Sequence, residues 1–567
     1  MTDTIEVGKA AYLDVDQYVA TVLRKEPDAK RRGYGREPWR SAALLWGDCV
    51  FVRAIDGEMA EVSAKGHRLE VPVRKLTPRG ILSLWQIDCG QGDAALLRFP
   101  DDKWAMVDLG PPRSGVISTN SGRTAVDFLK WIAFQDNNWR FEDGNADDPF
   151  HLEWVVISHP DEDHFGAGKE MLNRIGSWWS MGTVYHCGLG RYTGSPARKY
   201  RSGSGGQARQ PGFSQLGVVD GKSSRKLYLT SLFDHFGDVG RLQKTTANRD
   251  WTLTGTSYAN FIGGLRERRG QGVRRLKRLS HRSDGSALGS GGVTFKVLGP
   301  IEEDDPIDGK PALRYLDRNS TNSRRAYSLQ SPSLSRNGQS VVLRMDYGDV
   351  RIMLTGDLNF KSQALIQNHW NDDEFRCDVA KACHHGSEDI SWRFMQKMSP
   401  VATMFSSGDQ ETHVHPRALV LGMCGALSPM MKRRTSDSPA SGPDQRFEER
   451  KFAGFAEEKI FAPLLYSTEL SRSTSLRSDM KPYSRSKNEA GDWEYSGLRG
   501  VYLKGGRKKD KYLHLGRVRI ADALTYGLIN VRTDGKKVLM AVMEEGNQSD
   551  PRFHTETFWP RDLVRVE

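Results

Sequence analysis

The stretch "VVISHPDEDHFGAG", residues 155–168, places two histidines and three carboxylates directly after an apolar, β-branched run. The run predicts a buried strand, and the polar cluster then lies at the strand's end. A helix cap uses only one acid, whereas imidazole together with carboxylate is a ligand mix that suits Zn, Mn or Fe. The stretch is thus either a polar turn that caps a helix or a metal-binding loop formed by His159, Asp161, Asp163 and His164.

Two later strands end in side chains of the same kind. Asp357 closes "MLTGDL", and His384 and His385 close "ACHHGS". In α/β sheets, chemistry gathers at the strand ends, so we expect the three clusters to meet at one edge. Neighbouring strand residues point to opposite faces, which predicts that only one of the two histidines binds a metal, with a slight preference for His384.

Five stretches carry a specific resemblance. They are "WQIDCGQGDAALLRFPDDKWAMVDLG", "VVISHPDEDHFGAG", "NGQSVVLRMDYGDVRIMLTGDL", "DVAKACHHGS" and "ATMFSSGDQETHVHP", which all fall within residues 80–425. In this order they resemble the metallo-β-lactamase superfamily and, within it, the hydrolase domain of ComEC-type competence proteins.

The resemblance implies an αββα sandwich with two divalent metal ions, Zn or Mn with Fe as a further option, at the edge where the sheets meet. The first metal motif matches His159, Asp161, Asp163 and His164. Asp357 matches the aspartate that bridges the metals, and His384 or His385 matches a late histidine ligand. His415 matches a position that contacts substrate or a proton in transfer, while Asp161 or Asp163 is expected to orient the attacking water.

The chain departs from the broad superfamily in two places. Asp161 stands where histidine is usual, as in the ComEC branch, and the mid-chain histidine ligand is missing from its expected position. The histidines between the first motif and Asp357 are His186, His235 and His281, of which His186 is interpreted as a core residue. More oxygen ligands would favour Mn over Zn.

The composition and the turn signals predict four regions around a mixed α/β core. They are a helical or leader segment (1–40), an SH3-like β-barrel domain (41–78), the hydrolase domain (80–425) with basic insertions at about 188–292, and a linker with a β-rich C-terminal extension (426–567). The alternative for residues 41–78 is a hairpin that extends the next sheet.

The net charge of +11 favours an anionic partner such as nucleic acid. Two segments, 191–230 and 265–285, are rich in Lys and Arg and are expected to be mobile basic insertions. The second carries the candidate phosphate contacts Arg274, Arg275, Lys277 and Arg278. Solvated loops without function are the alternative.

These observations predict a metal-dependent phosphodiesterase or nuclease that acts on DNA. The alternatives are hydrolysis of a small ester, lactone, thioester or phosphoester, and a docking role in a larger assembly such as a bacterial defence system, through the SH3-like or C-terminal region. No apolar run approaches the ~18 to 20 residues that span a bilayer, and the six cysteines form no C-x-x-C pair. No membrane association and a cytoplasmic location are expected.

Overall fold

The computed structural model describes most of the chain in separate stretches. They are residues 4–15, 19–23, 41–64, 67–113, 124–133, 149–176, 178–194, 212–220, 226–246, 249, 251–305, 309–316, 332–408, 415–429, 464–468, 528–543 and 553–560, with short strands between 431 and 518. Residues 195–211 and 221–225 of the first expected insertion, and 433–446 of the expected linker, lie outside the described residues.

An antiparallel sheet near the N-terminus has an apolar core of its own. Its strands are β1 (Ala10–Leu13), β2 (Cys49–Asp56), β3 (Met59–Ala64), β4 (His67–Pro72) and β5 (Leu76–Thr77), in the order β4-β3-β2-β1-β5. Leu13, Val50, Val62 and Leu69 are fully buried in it. The expected helical or leader segment is therefore corrected at Ala10–Leu13, which is a strand because its apolar side chains complete this core.

The first large sheet contains the strand that leads into the first metal motif, residues 159–164, and the strands around it. They are β6 (Leu82–Gln86), β7 (Ala95–Arg98), β8 (Trp104–Val107), β9 (Phe150–Ile157), β10 (Trp179–His186) and β11 (Val273–Arg278). Strands β8, β9, β10 and β11 run parallel to one another, and β11 lies at the edge. Their carboxyl ends therefore meet at one side of the sheet.

The second large sheet carries the two later motifs. Its strands, in both chain and spatial order, are β12 (Thr294–Gly299), β13 (Val342–Tyr347), β14 (Val350–Leu354), β15 (Val379–Lys381), β16 (Ala402–Phe405) and β17 (Leu464–Ser467). The last four are parallel.

Three C-terminal strands complete the first sheet rather than forming a separate extension. They are β18 (Ile529–Thr533), β19 (Val538–Met543) and β20 (Phe553–Phe558). Strand β18 pairs with β6, so the sheet order is β11-β10-β9-β8-β7-β6-β18-β19-β20. Because β17 likewise joins the second sheet, residues 80–425 do not contain all the strands of the two sheets.

The two sheets pack face to face, and helices cover both outer faces. Alternate residues of one strand face opposite layers: Val156 of β9 packs in the core between the sheets, whereas Val155 packs against the helices. Leu343 and Val379 of the second sheet belong to the same central core. This is the αββα order of layers that the sequence resemblance implied.

The helices on the first sheet are α1 (Ala125–Trp131), α2 (Glu162–Phe165), α3 (Gly168–Leu172), α4 (Phe236–Leu242) and α5 (Ser257–Glu267). Those that follow are α6 (Pro332–Gly338), α7 (Phe360–His369), α8 (Trp392–Met398) and α9 (Ala418–Leu427), of which the last three pack on the second sheet. Thr124 and Asn359 cap α1 and α7 with reciprocal side-chain bonds. No helix in the described parts of the chain is long and apolar enough to cross a membrane.

Smaller strands complete the described structure. One sheet contains Gly212–Ser214, Gly217–Asp220, Tyr228–Leu229, Pro311–Arg314 and Glu302–Asp304, and another contains Phe447–Glu449, Val19–Leu23 and Ser41–Leu45. Two-stranded pairs join Met431–Lys432 to Ile460–Phe461, Thr474–Ser475 to Arg517–Val518, Ser484–Lys487 to Trp493–Ser496, and Leu503–Lys504 to Tyr512–Leu513.

The second expected insertion, residues 265–285, is regular structure. It contains the end of α5 and all of β11, where Val273 and Leu276 are buried in the helix-facing core. The expectation of a mobile loop is therefore wrong for this segment, because apolar residues alternate with the basic ones and fix the strand on the sheet. Arg274, Arg275 and Lys277 are exposed.

Candidate metal centre

The carboxyl ends of parallel strands from both sheets deliver the polar cluster. Asp108 follows β8, and His159 follows β9 in the first sheet. Asp357 follows β14, and His385 follows β15 in the second sheet. Because the sheets are stacked, these strand ends converge at one edge of the sandwich, as the sequence predicted.

One carboxylate oxygen, Asp357 Oδ2, is the centre of this cluster. It lies 3.4 Å from His164 Nε2 and 3.4 Å from His385 Nε2. It lies 3.7 Å from His384 Nε2 and 3.8 Å from His159 Nε2. These four distances are slightly longer than a typical hydrogen bond. A carboxylate oxygen in this position can bind cations that the histidines also hold.

Four side chains form a compact candidate ligand set, in which donor atoms lie within 4.8 Å of one another: Asp163, His164, Asp357 and His385. Asp163 Oδ2 lies 3.3 Å from His385 Nε2 and 3.9 Å from His164 Nε2. The Nε2 atoms of His159, His164 and His385 are buried and have no hydrogen-bond partner in the described part of the chain. Buried polar atoms are normally satisfied, so two carboxylates and orphaned imidazole nitrogens fit a divalent metal ion.

Outer groups fix the orientation of two of these histidines. His164 Nδ1 donates to Asp108 Oδ2 over 2.8 Å, and His385 Nδ1 donates to the Ser406 carbonyl over 2.9 Å. With Nδ1 as the donor, each neutral ring presents the Nε2 lone pair to the cluster. Ser158 donates to both oxygens of Asp108 and so holds this carboxylate in place.

The cluster is strongly charged. Burial disfavours the charged imidazole, but Asp357 and Asp108 outweigh it and raise the pKa of His164 well above its usual value. The pKa of His385 is raised in the same way, by Asp357 and Asp93 against burial. Burial alone would raise the pKa of Asp357, yet His385 and His164 hold it well below its usual range. Bound divalent cations would take the place of these protons.

A buried lysine stands beside the cluster. Lys381, the last residue of β15, forms an ion pair with Asp93 and lies 3.6 Å from Asp357 Oδ1. Although burial opposes ionisation of Asp93, Lys381 and His385 lower its pKa to about 2. The loop that carries Asp93 packs closely on the motif: a Cβ at Gly92 would lie 2.4 Å from the Asp163 carbonyl oxygen. Glycine is required there by both this approach and a φ of +149°.

His384 and His385 lie beyond the end of their strand. Both have left-handed backbones, with φ of 48° and 54°, which costs energy for residues with a side chain. This turn directs both rings to Asp357, so the alternation of a strand no longer applies. His385 is fully buried and belongs to the compact set, whereas the His384 side chain is 28% exposed. The preference for His384 is not supported by this geometry.

Asp161, beside the cluster, is in contact with two arginines and an asparagine. Its Oδ1 forms an ion pair with Arg336 and lies 3.7 Å from Arg191 NH1. Its Oδ2 lies 3.8 Å from His159 Nε2, and it accepts a 3.0 Å bond from the Asn337 amide when that amide is oriented with its nitrogen towards Asp161. Burial raises the pKa of Asp161 to about 6, although Arg336 opposes this shift. Of the two aspartates in this motif, Asp161 is the one in contact with arginine side chains, whereas Asp163 faces histidines.

The other histidines have distinct surroundings. His415 is buried beside the cluster, with its ring 5.8 Å from that of His384 and its Nδ1 3.3 Å from Gln91 Nε2. His186 stacks on Phe233 at 4.3 Å, and burial lowers its pKa to about 3. This agrees with the interpretation of His186 as a core residue.

His235 and His281 each accept a backbone bond through Nδ1, from Asp238 and Glu302 respectively. These contacts give both side chains a local structural role. Neither belongs to the candidate ligand groups in the described residues.

The basic residues predicted to contact phosphate differ among themselves. Arg274, Arg275 and Lys277 are exposed along the edge strand β11, whereas Arg278 forms ion pairs with Asp234 and with Glu302, the latter at 2.6 Å. Arg278 is thus used within the fold.

Sequence reasoning missed several neighbours of the cluster. They are Gln91, Asp93, Asp108, Arg191, Arg336, Asn337 and Lys381. Asp108 carried a usable signal, an acid at a strand end, and Lys381 carried another, a cation within a buried apolar run. Arg191 and Arg336 come from a loop and a short helix without any motif, and only the fold brings them together.

Curated competence proteins are similar to part of this chain. No family model matches the chain. It is 33% identical over 88 residues to ComE operon protein 3 of Bacillus subtilis, and 29% identical over 189 residues to competence protein ComA of Neisseria gonorrhoeae. The chain is distantly similar to these competence proteins. The matches cover 15% and 31% of this chain but only 11% and 26% of the two relatives.

Two solved structures are similar to this chain at low sequence identity. One is YhfI from Bacillus subtilis, a metallo-β-lactamase fold protein, with 11% identity, a TM-score of 0.24, and coverage of 57% of this chain and 85% of that one. Another is Tm1679, a metal-dependent hydrolase of the β-lactamase superfamily, with 10% identity, a TM-score of 0.26, and coverage of 60% and 91%.

Proposed function

We propose that this protein is a metal-dependent phosphodiesterase that cleaves DNA. The observation that carries the hydrolase assignment is Asp357 Oδ2, which lies within 3.8 Å of four imidazole nitrogens. The residues that would hold the metal are Asp163, His164, Asp357 and His385, with His159 and His384 available for a second ion. When bound, divalent ions supply a Lewis acid and an activated water at neutral pH.

The chain's own residues prepare the site for this chemistry. Asp108 and the Ser406 carbonyl hold the histidines in the tautomer that presents Nε2. His415 is buried next to the cluster, and a bond from Gln91 to Nδ1 would leave its Nε2 carrying the proton. We assign His415 the donation of a proton to the departing oxygen, and Asp163 the orientation of the attacking water.

DNA is proposed as the substrate on grounds of charge. The chain carries a net charge of +11, and three exposed cations lie along β11, an edge strand of the sheet whose parallel strands end at the site. Phosphate neutralisation by Lys and Arg supplies most of non-specific DNA affinity. A relative named a competence protein is consistent with this substrate.

The test compares three substrates with protein as purified: labelled DNA, bis(p-nitrophenyl) phosphate and p-nitrophenyl acetate. We expect cleavage of both phosphodiesters, loss with chelator, recovery with Mn or Zn, and loss in Asp357→Asn. Exposed Asp373→Asn is the matched control and should keep full activity. Turnover of the acetate ester alone would overturn the phosphodiesterase assignment in favour of a small-ester hydrolase.

A further inference from the structure

Two arginines converge on the rim of the metal cluster. Arg191 comes from the loop after β10, and Arg336 comes from α6, so they approach from different parts of the chain. They share one carboxylate, Asp161: Arg336 forms an ion pair with Oδ1, and Arg191 NH1 lies 3.7 Å from the same oxygen. Among the described residues, Asp161 is the carboxylate in ion-pair contact with both guanidinium groups, and the exposed Glu162 attracts Arg191 more weakly.

The guanidinium of Arg191 is only weakly bound by the protein. Its remaining bonds are long, 3.5 Å to the Pro160 carbonyl and 3.4 Å to Gln215, and its buried Nε has no hydrogen-bond partner among the described residues. Burial lowers its pKa, as does the neighbouring Arg336. Two cations that share one carboxylate in a half-buried position leave an excess of positive charge, which a further anion would stabilise.

Arg191 and Arg336 also lie next to the candidate metal ligands. Asp161 Oδ2 is 3.8 Å from His159 Nε2, which is itself 3.8 Å from Asp357 Oδ2. The side chains of Arg191 and Arg336 are 22% and 16% exposed, so a ligand can reach them from solvent. Arginine binds phosphate oxygens through paired N–H donors.

We propose that Arg191 and Arg336 form a binding subsite for the phosphate group of a phosphodiester, next to the metals. Arg191 supplies free N–H donors to the non-bridging oxygens. Arg336 remains paired with Asp161 and adds the second positive charge. The subsite deepens the proposed function, on which it rests, because it explains how a phosphodiester rather than a neutral ester is selected and held.

The test measures binding of inorganic phosphate by calorimetry to full-length protein as purified, with metal content determined for each sample. We expect Arg191→Gln and Arg336→Gln each to weaken phosphate binding by roughly 10-fold or more, in keeping with the strength of charge-assisted bonds. Arg269→Gln is the matched control, because this exposed arginine precedes β11 and so lies at the opposite edge of the sheet. Metal content should be the same in all of them.

Kinetics separate this subsite from a merely structural role. Arg191→Gln should raise KM for bis(p-nitrophenyl) phosphate and for a labelled oligonucleotide, while any turnover of p-nitrophenyl acetate stays unchanged. Phosphate affinity within twofold of the Arg269→Gln control in both variants overturns the subsite, even if the enzyme still cleaves DNA. Arginine-dependent phosphate binding without phosphodiester cleavage supports the subsite and overturns the proposed function instead.

Discussion

At the scale of single residues, the candidate site depends on one oxygen shared by several histidines. Asp357 Oδ2 faces His159, His164, His384 and His385, while Asp163 faces His164 and His385. Ligands arranged in this way act as a set, since each ion needs its full complement of donors. The loss of one donor should therefore affect more than its own contact.

The first prediction concerns Asp163 and His164. Replacing both by Ala removes one oxygen and one nitrogen from the compact four-residue set, so we expect bound metal to fall close to zero, as measured by elemental analysis of purified protein. Glu162→Ala is the control, because this side chain directly precedes the pair, is exposed and lies outside that set. An unchanged metal-to-protein ratio in the double variant would contradict the site.

The second prediction separates His384 from His385. His385→Ala should lower metal content severely, because this buried ring belongs to the compact set and is oriented by the Ser406 carbonyl. His384→Ala should cause a smaller loss, because its ring is partly exposed. Among the described carboxylates, the one in ion-pair contact with this ring is Asp357, at 3.7 Å from Oδ2. Metal titration of both variants tests this order, and equal losses would show that the two rings are equivalent ligands.

The sequence revealed the residues whose chemistry stands out locally. Histidines and acids that follow apolar strands predicted the three clusters, because strand ends are where a sheet exposes side chains. It did not reveal that Arg336 and Asn337 would reach Asp161, since that contact depends on how α6 packs across the site. The orientation of His384 and His385 was equally hidden, because left-handed backbones at both residues carry no composition signal.

At the scale of elements, the edge strand β11 explains how a basic segment can be ordered. Val273 and Leu276 fix the strand on the sheet, and its parallel pairing with β10 places Arg275 opposite Thr183 and Lys277 opposite Tyr185. The density of Lys and Arg predicts a loop, whereas the apolar positions Val273 and Leu276 make the segment a strand. Arg278 differs from its neighbours because Glu302 and Asp234 bind it.

The third prediction tests this strand. Changing Arg274, Arg275 and Lys277 to Gln should weaken DNA binding and reduce the slope of log affinity against log salt by roughly 2, since each phosphate contact on a single strand contributes about 0.7. Metal content and turnover of bis(p-nitrophenyl) phosphate should not change. The control removes three charges elsewhere, through Lys9→Gln, Arg68→Gln and Arg74→Gln in or next to the strands of the N-terminal sheet. A salt slope equal to that of the control would mean that β11 does not contact the polymer.

At the scale of the whole molecule, the two ends of the chain are joined through the first sheet. Arg532 of β18 forms a buried ion pair with Asp48 at 2.7 Å, and it donates to the Trp46 carbonyl over 2.8 Å. Leu539 of β19 packs in the core of the N-terminal sheet. The sequence predicts a boundary at residue 425, because pairing between strands more than 400 residues apart leaves no local signal.

The fourth prediction follows from the pairing of the C-terminal strand β18 with β6. A fragment of residues 80–425 lacks β17 and β18, so all five residues of β6, buried in the full chain, would line an open apolar edge. Such an edge favours aggregation. We expect the fragment to elute as large assemblies and to show no cooperative thermal unfolding, whereas co-expression with residues 426–567 should restore a defined complex that binds metal, because β18 can pair with β6 from a separate chain. A monomeric fragment that melts cooperatively and keeps its metal would show that the sandwich closes without its C-terminal strands.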